Sequence, residues 1–335
     1  MLYLVDLEPI EKRYTKQWQS WIPEMIGEFN EIIPHTNISG IPREFKVGEF
    51  LDINRTNMYK ADQVQAIAEL FDAGKVEDLD EFLFYDGYHF GITALKYMAQ
   101  LQDIDVKIYT IWHAGSYDPW DFTALKGLDT WSADQERAWF ECSDKIFVAT
   151  KYHKELIRDT RGVNPDKIIV TGLPFKFDYV KDYDISKKEN IIVFPHRKSK
   201  EKQIELFERL KKEMPEYEFI VTTDVTNTKE EYYELLSKAK IVFSGNLQET
   251  WGIGTFEALS LGCLPIVPDR LSYSEMYHET FRYNSETEIV HKIHLFMKNY
   301  GFYTTVAKSN MDHIRANFSE NAVNKMLLEM QYVQK

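Results

Sequence analysis

Two carboxylates and two glycines carry the strongest chemical signal in the chain. Glu249 and Glu257 bracket Gly252 and Gly254 in Gly245-Asn-Leu-Gln-Glu-Thr-Trp-Gly-Ile-Gly-Thr-Phe-Glu257. A carboxylate accepts paired hydrogen bonds from vicinal hydroxyls. Glycine lets a backbone approach a ligand closely, and the free N–H groups that open a helix hold an anion. Gly252, Ile253 and Gly254 are therefore expected to offer N–H groups to a phosphate, while Glu249 and Glu257 take hydroxyls. A phosphate beside a vicinal diol describes a nucleotide sugar.

A second cluster supplies cations. Pro195-His-Arg-Lys-Ser-Lys-Glu-Lys202 holds Arg197 and Lys202 between a predicted strand and a predicted helix. Departure of a nucleoside diphosphate builds negative charge on its oxygens, and cations already in place stabilise that charge without a metal. No Cys/His cluster has zinc spacing, so the expectation is no metal and no cofactor, with the nucleotide sugar as substrate. Asp78-Leu-Asp80 and Asp103-Ile-Asp105 have Asp-x-Asp spacing but precede strands, and read as surface charge. No Gly-x-Gly-x-x-Gly follows a predicted strand, which argues against an NAD dehydrogenase.

A third cluster is Trp112-His-Ala-Gly-Ser-Tyr-Asp-Pro-Trp-Asp121, at the carboxyl end of a predicted strand, where α/β proteins form their sites. His113 is its candidate catalytic residue. Tyr117, Asp118, Trp120 and Asp121 are candidate acceptor contacts, with Tyr117 and Trp120 able to stack on a sugar or base. Arg13, Tyr14 and Thr15, after the first strand, are further candidates for donor or acceptor contact.

The elements that must position these residues alternate. Strands are expected at residues 3–7, 46–50, 81–85, 106–112, 145–149 and 167–170. Helices are expected at 22–32, 61–71 and 92–100, with one opened by Ser132 and Gln135 as a capping box. Residues 174–189 are polar and aperiodic and read as a linker. Beyond it, strands at 191–194, 218–222, 240–243 and 263–267 alternate with helices at 203–214, 230–238 and 252–261. Gly262 stops the last of these, and helices after Glu286 and around 321–331 close the chain. Apolar runs alternating with helices imply parallel sheets. The fold class is α/β, with domains at 1–173 and 190–335.

The segment 245–276 resembles the Glu-x7-Glu motif of retaining glycosyltransferases of the GT-B fold, the group 1 family. The resemblance implies two Rossmann-like domains with a cleft between them, the acceptor on the first and the donor, a UDP-sugar by preference, on the second. It implies that Glu257 holds the ribose and that Glu249 lies beside the donor sugar. Arg197 and Lys202 match the family's Gly-Arg-x4-Lys element, with His196 in place of the glycine. His113 matches a histidine that faces the donor sugar in the family. The departing phosphate would take the acceptor's proton, with same-face attack. The glycine-rich loop that many members carry after strand 1 is absent here. Instead, residues 6–18 resemble the opening of phage-encoded glycosyltransferases that decorate hydroxymethylated pyrimidines in DNA. Pro195-His-Arg197 and Gln248-Glu-Thr-Trp-Gly252 are similar to the transferase that mannosylates queuosine in tRNA.

Charge bears on the acceptor. Residues 1–150 hold 13 Lys and Arg against 26 Asp and Glu, the whole of the net charge of −13, and the rest balances at 27 of each. Tight non-specific binding to nucleic acid needs phosphate neutralisation. A hydroxymethylpyrimidine in DNA, the acceptor this resemblance implies, therefore requires a local strip such as Lys12, Arg13, Lys16, Arg43, Lys46 and Arg55. Modified tRNA, a glycan or a small molecule are the alternatives, and a sugar-nucleotide epimerase or a non-catalytic nucleotide-sugar sensor would share the fold. No apolar run reaches the length of a membrane span, and no signal peptide is evident. Cys142 and Cys263 sit in apolar contexts and read as reduced core thiols, which points to the cytoplasm.

Overall fold

The structure is a computed structural model and describes residues 1–11, 13–45, 52–180 and 182–334. The chain divides into two compact units: Met1–Pro174 together with Asn321–Lys335, and Phe175–Glu320.

The first unit is built on six parallel strands, β1 (Leu2–Val5), β2 (His35–Ile38), β3 (Glu81–Phe84), β4 (Lys107–Ile111), β5 (Lys145–Val148) and β6 (Ile168–Val170), in the order β2-β1-β3-β4-β5-β6. The central strands are continuous apolar runs such as Phe82-Leu-Phe84 and Ile146-Phe-Val148, buried on both faces because helices cover the sheet on both sides. Register sets Val5 beside Phe84, so the residues just past β1 and β3 emerge at one edge.

Several expectations change here. The first helix spans Tyr14–Phe29, not 22–32, and runs through Pro23. Its buried residues Trp18, Trp21, Ile22, Met25, Ile26 and Phe29 have helical spacing, and their burial outweighs the bond that proline removes. The strand expected at 46–50 lies outside the described residues. Strand β2 was not expected, since His-Thr-Asn-Ile is an edge strand with mostly exposed side chains and no apolar signature. Ser132 is not a cap: its helix begins at Asp129, and its hydroxyl donates to Ser116 Oγ at 2.6 Å. Asp80 is buried rather than a surface charge, and accepts from the Met1 ammonium at 2.7 Å.

The C-terminal segment also departs from expectation. The helix Ala322–Glu329 packs on the helix Tyr14–Phe29 of the first unit instead of closing the second. Asn30 Nδ2 donates to the Val333 carbonyl at 3.0 Å, and the Tyr332 hydroxyl donates to Glu81.

The second unit holds β7 (Glu189–Phe194), β8 (Glu218–Val221), β9 (Ala239–Phe243), β10 (Leu264–Pro268) and β11 (Arg282–Tyr283), parallel, in the order β11-β10-β9-β7-β8. Phe175 and Phe177, within the expected linker, are buried edge-on against Phe256 at 5.3 and 5.6 Å. Lys188, at the end of that segment, is drawn inward too. Its Nζ donates to the carbonyls of Ala239 at 2.9 Å and Leu236 at 3.2 Å, at the C-terminal end of helix Lys229–Lys238. Polar composition had hidden both anchors. Cys142 and Cys263 are free thiols, Cys263 fully buried.

Candidate functional site

Where the strand order of an open parallel sheet reverses, a crevice forms at the carboxyl ends of the two flanking strands. In the second unit those strands are β7 and β9. Residues 195–202 follow β7; residues 244–252 and the helix Ile253–Ser260 follow β9. Both chemical clusters of this half thus converge on the switch point.

Lys202 and Glu249 meet there. The Lys202 ammonium is buried, and donates to Glu249 Oε2 at 3.2 Å and to the Gln248 carbonyl at 2.8 Å. Asn246 Nδ2 donates to the same carboxylate oxygen at 3.0 Å, while Oε1 accepts from the backbone N–H groups of Thr250 at 3.2 Å and Trp251 at 3.4 Å. Burial alone would raise the Glu249 carboxyl. The adjacent Lys202 ammonium, together with His196 and the Trp251 N–H, outweighs it and holds the group below the usual range, as a carboxylate.

His196 ties the two loops together. Its Nε2 lies 2.7 Å from Ser244 Oγ, which lies 2.7 Å from the Tyr273 hydroxyl. That hydroxyl accepts from Asn246 Nδ2 at 2.9 Å, so the chain of bonds ends on Glu249. Ser244, Asn246 and Tyr273 were not expected as site residues; only their places beside the motif could have signalled them. Arg197 lies in the same loop as Lys202. Its guanidinium donates to Glu201 Oε1 at 2.7 and 3.1 Å and to Ser199 Oγ at 3.2 Å, within its own loop.

The glycines do what close approach requires. Gly252 has φ of 81°, the left-handed region, and a Cβ there would come 3.1 Å from the Tyr273 ring. A Cβ on Gly254 would lie 3.1 Å from the Pro195 carbonyl oxygen, a tight contact that glycine avoids where the first helical turn lies against the end of β7. The N–H groups that open a helix have no intrahelical partner, and this turn directly follows the loop that carries Glu249. Glu257, inside the helix, is buried. Its Oε1 accepts from the Tyr233 hydroxyl at 2.8 Å and from the Lys229 ammonium.

In the first unit, His113 and Tyr14 come together at the carboxyl end of β4. His113 Nε2 donates to the Tyr85 carbonyl at 2.7 Å, which leaves Nδ1 to accept from the Tyr14 hydroxyl at 3.2 Å. Burial lowers the His113 pKa despite nearby Asp86, so the ring is a neutral polar group with both nitrogens engaged. Tyr117 and Asp118 are corrected as acceptor contacts, because both are buried. The Tyr117 hydroxyl bonds His153 Nε2 at 2.6 Å, and Asp118 Oδ1 accepts from Trp120 N at 2.9 Å, so they build the loop instead. Asp121 is likewise buried, with Oδ1 accepting from Thr123 N at 2.8 Å. Trp120 and Arg13 remain half-buried at the surface.

Two carboxylates at strand ends went unnoticed in the sequence. Asp6 follows β1, and was absorbed into a strand drawn too long. It accepts from Tyr59 at 2.6 Å and Gln63 at 3.1 Å, and burial raises it to about 6. Asp86 follows β3 and takes the Lys60 ammonium at 2.8 Å. Burial would raise it, but Lys60 and His113 bring it down to about 2. Of the cations proposed for a nucleic-acid strip, Lys16 pairs with Glu11, Arg43 with Asp62, and Arg55 with Asp52. Lys12 and Lys46 lie outside the described residues.

Burial drives His196 down to about 3, with Lys202 adding to the shift, so the native ring stays neutral near pH 5. An unfolded histidine takes up a proton below about 6.5. This stability is therefore present above pH 6.5 and is lost as pH falls toward 3. From pH 7.5 to 5.0 the second unit should lose about 2 kcal/mol from this group. Amide hydrogen exchange of β7 and β9 at the two pH values measures it, and equal protection at both would contradict it.

Among the described residues, no cluster of His, Cys, Asp and Glu could hold a metal ion, and no helix is long and apolar enough to cross a membrane.

No family model matches the chain. Solved structures share its fold. A glycosyltransferase from Rickettsia africae superposes with a TM-score of 0.66 at 12% identity, covering 98% of this chain and 97% of that one. Sucrose-phosphate synthase from Thermosynechococcus elongatus gives 0.66 at 12%, covering 98% of each. A TarM mutant from S. aureus, in complex with fondaparinux, α-GlcNAc-glycerol and UDP, gives 0.56 at 13% and covers 80% of this chain but 59% of that protein. The fold is thus the GT-B arrangement of glycosyltransferases. Among curated proteins, a tRNA-queuosine alpha-mannosyltransferase of Drosophila melanogaster is 34% identical over 70 residues, which span 21% of this chain and 19% of the fly protein.

Proposed function

We propose that the protein is a metal-independent, retaining glycosyltransferase that moves a sugar from a nucleotide sugar, a UDP-sugar by preference, to a hydroxyl on a modified nucleobase. The observation that carries this reading is the buried Lys202–Glu249 pair beside the opening turn of helix Ile253–Ser260, at the sheet's switch point. The N–H groups of Gly252, Ile253 and Gly254 hold the diphosphate, and Lys202 neutralises the charge that grows on it. Glu249, ionised and fixed by four donors, orients the sugar hydroxyls. The bond from the anomeric carbon to the diphosphate oxygen breaks, and the acceptor oxygen forms its bond on the same face. The acceptor's proton goes to the departing diphosphate. UDP bound to TarM supports the nucleotide assignment.

The acceptor in this reading is a hydroxymethylpyrimidine in DNA, supported by the resemblance at residues 6–18. A second reading is a modified nucleoside in tRNA, favoured by the local match to the fly mannosyltransferase. In either case phosphate contacts must exchange for the carboxylates that now face Lys16, Arg43 and Arg55.

The test is a transfer assay read by mass spectrometry. The protein is incubated with UDP-, GDP- and ADP-sugars and with hydroxymethylcytosine DNA, hydroxymethyluracil DNA, unmodified DNA or tRNA. A hexose or pentose mass on the hydroxymethylated nucleoside is the expected result, with a KM for DNA that rises with salt. Mass on tRNA alone selects the second reading. Donor consumption with no modified nucleic acid overturns both acceptors and leaves a glycan, a small molecule or epimerisation.

A further inference from the structure

Lys229 opens the helix Lys229–Lys238, where a positive charge opposes the helix dipole. The same turn carries Glu230 and Glu231, which suit that position, and Thr228 caps it by accepting from Glu231 N. Nothing in the helix itself favours a lysine at its first residue.

The surroundings of the side chain do. The ammonium lies 4.9 Å from the ring centres of both Tyr232 and Tyr233, and pairs with Glu257 Oε1. Tyr233 donates to that same oxygen at 2.8 Å. Two donors on one carboxylate oxygen fix the plane of the carboxyl group and its rotamer. The Glu257 side chain is 3% exposed and that of Lys229 is 16% exposed, so solvent reaches the pair from the lysine's side.

We propose that Lys229 is a positioning residue of the nucleotide site: it fixes Glu257 so that Oε2 meets the ribose hydroxyls of a nucleoside diphosphate. The proposal rests on the reading that Glu257 holds the ribose. A carboxylate with Oε1 committed to Lys229 and Tyr233 grips the ribose through its other oxygen, so its orientation decides the affinity. Without the lysine the carboxylate keeps only tyrosine hydroxyls as donors and is less firmly oriented, so hydroxyl recognition would weaken while phosphate recognition would not.

The experiment compares each nucleotide with its 2′-deoxy analogue by calorimetry. UDP, GDP and ADP are titrated into the wild type, and the tightest is carried forward with its 2′-deoxy form. Lys229→Met should raise Kd for the ribonucleotide about tenfold, the loss expected for one charge-assisted hydrogen bond. Its Kd for the 2′-deoxy form should change by less than about twofold on the same scale. Lys229→Arg should recover most of the ribonucleotide affinity. In turnover, the loss should appear in the donor KM and not in kcat. Equal losses for both nucleotides would show a merely structural role and overturn the proposal. Ribonucleotide affinity unchanged in Lys229→Met, with Glu257→Ala impaired, would also overturn it while leaving the ribose assignment in place. If Glu257→Ala binds the two nucleotides as the wild type does, or if no nucleoside diphosphate binds, the ribose reading itself fails.

Discussion

Replacing Lys202 with alanine should lower kcat for sugar transfer by about two to three orders of magnitude, the usual effect of removing one preorganised donor to a developing oxyanion. The ammonium is buried, spans the Gln248 carbonyl and the Glu249 carboxylate, and belongs to the loop that leaves β7. Its charge is fixed before any nucleotide arrives, so its stabilisation grows with the charge on the departing diphosphate and is expressed in kcat. The same substitution removes the cation that keeps Glu249 ionised. Burial, the largest influence on this group, is then opposed less, and the Glu249 carboxyl should rise, moving the acid limb of the kcat profile to higher pH. Lys202→Arg should retain the pH profile and lose part of the rate. Single-turnover kinetics with a saturating donor, on protein whose melting is unchanged, make the measurement. A kcat within about threefold of wild type would remove Lys202 from the catalytic assignment.

Glu257→Ala should raise the donor KM at least about tenfold while kcat changes less, because ribose contacts persist from ground state to transition state. Hydrogen bonds to a charged group contribute about 1.5–3 kcal/mol each, which spans tenfold to more than a hundredfold in affinity. Glu257→Gln is the informative companion. It keeps an acceptor for Tyr233 and the side-chain volume, so a KM that rises in both variants assigns the effect to the carboxylate and not to a void in helix Ile253–Ser260. An unchanged donor KM in Glu257→Ala would end the ribose assignment. Lys229 and Tyr233 would then be read as the partners of an ordinary buried acid.

These two predictions differ in how far they could be drawn from the sequence. Glu249, Glu257, Gly252 and Gly254 form one contiguous stretch, and strand, loop and helix each leave a periodicity or a glycine in it. The pairing of Lys202 with Glu249 joins residues 47 positions apart. It follows only once β7 and β9 are neighbours in the sheet. Lys229 and Ser244 had no motif to mark them, and Tyr273, within the 245–276 stretch, had nothing to single it out. Their roles depend on which side chains a helix or strand presents to Glu257 and Asn246 after packing.

The errors share a cause. Tyr117 and Asp118 looked like surface chemistry because polar residues near glycine and proline suggest an exposed loop. Their burial is a tertiary property, and the Tyr117 hydroxyl meets His153 36 positions along the chain. The segment 174–189 looked like a linker because its composition is polar, yet Phe175, Phe177 and Lys188 anchor into the second unit. The helix Ala322–Glu329 was assigned by chain order to the nearer unit, but its apolar face is buried on the helix Tyr14–Phe29.

The sequence by itself determined the alternation of strands and helices, the parallel character of both sheets, and the residues of the Glu-x7-Glu stretch. All of these rest on contacts between near neighbours, where period, turn chemistry and glycine geometry act. The tertiary structure alone decided strand order, the return of the last helix to the first unit, the Lys202–Glu249 and Lys229–Glu257 pairs, and the burial that keeps His196 neutral. Each depends on groups distant in sequence meeting in a low-dielectric interior, and no local pattern records which groups will meet.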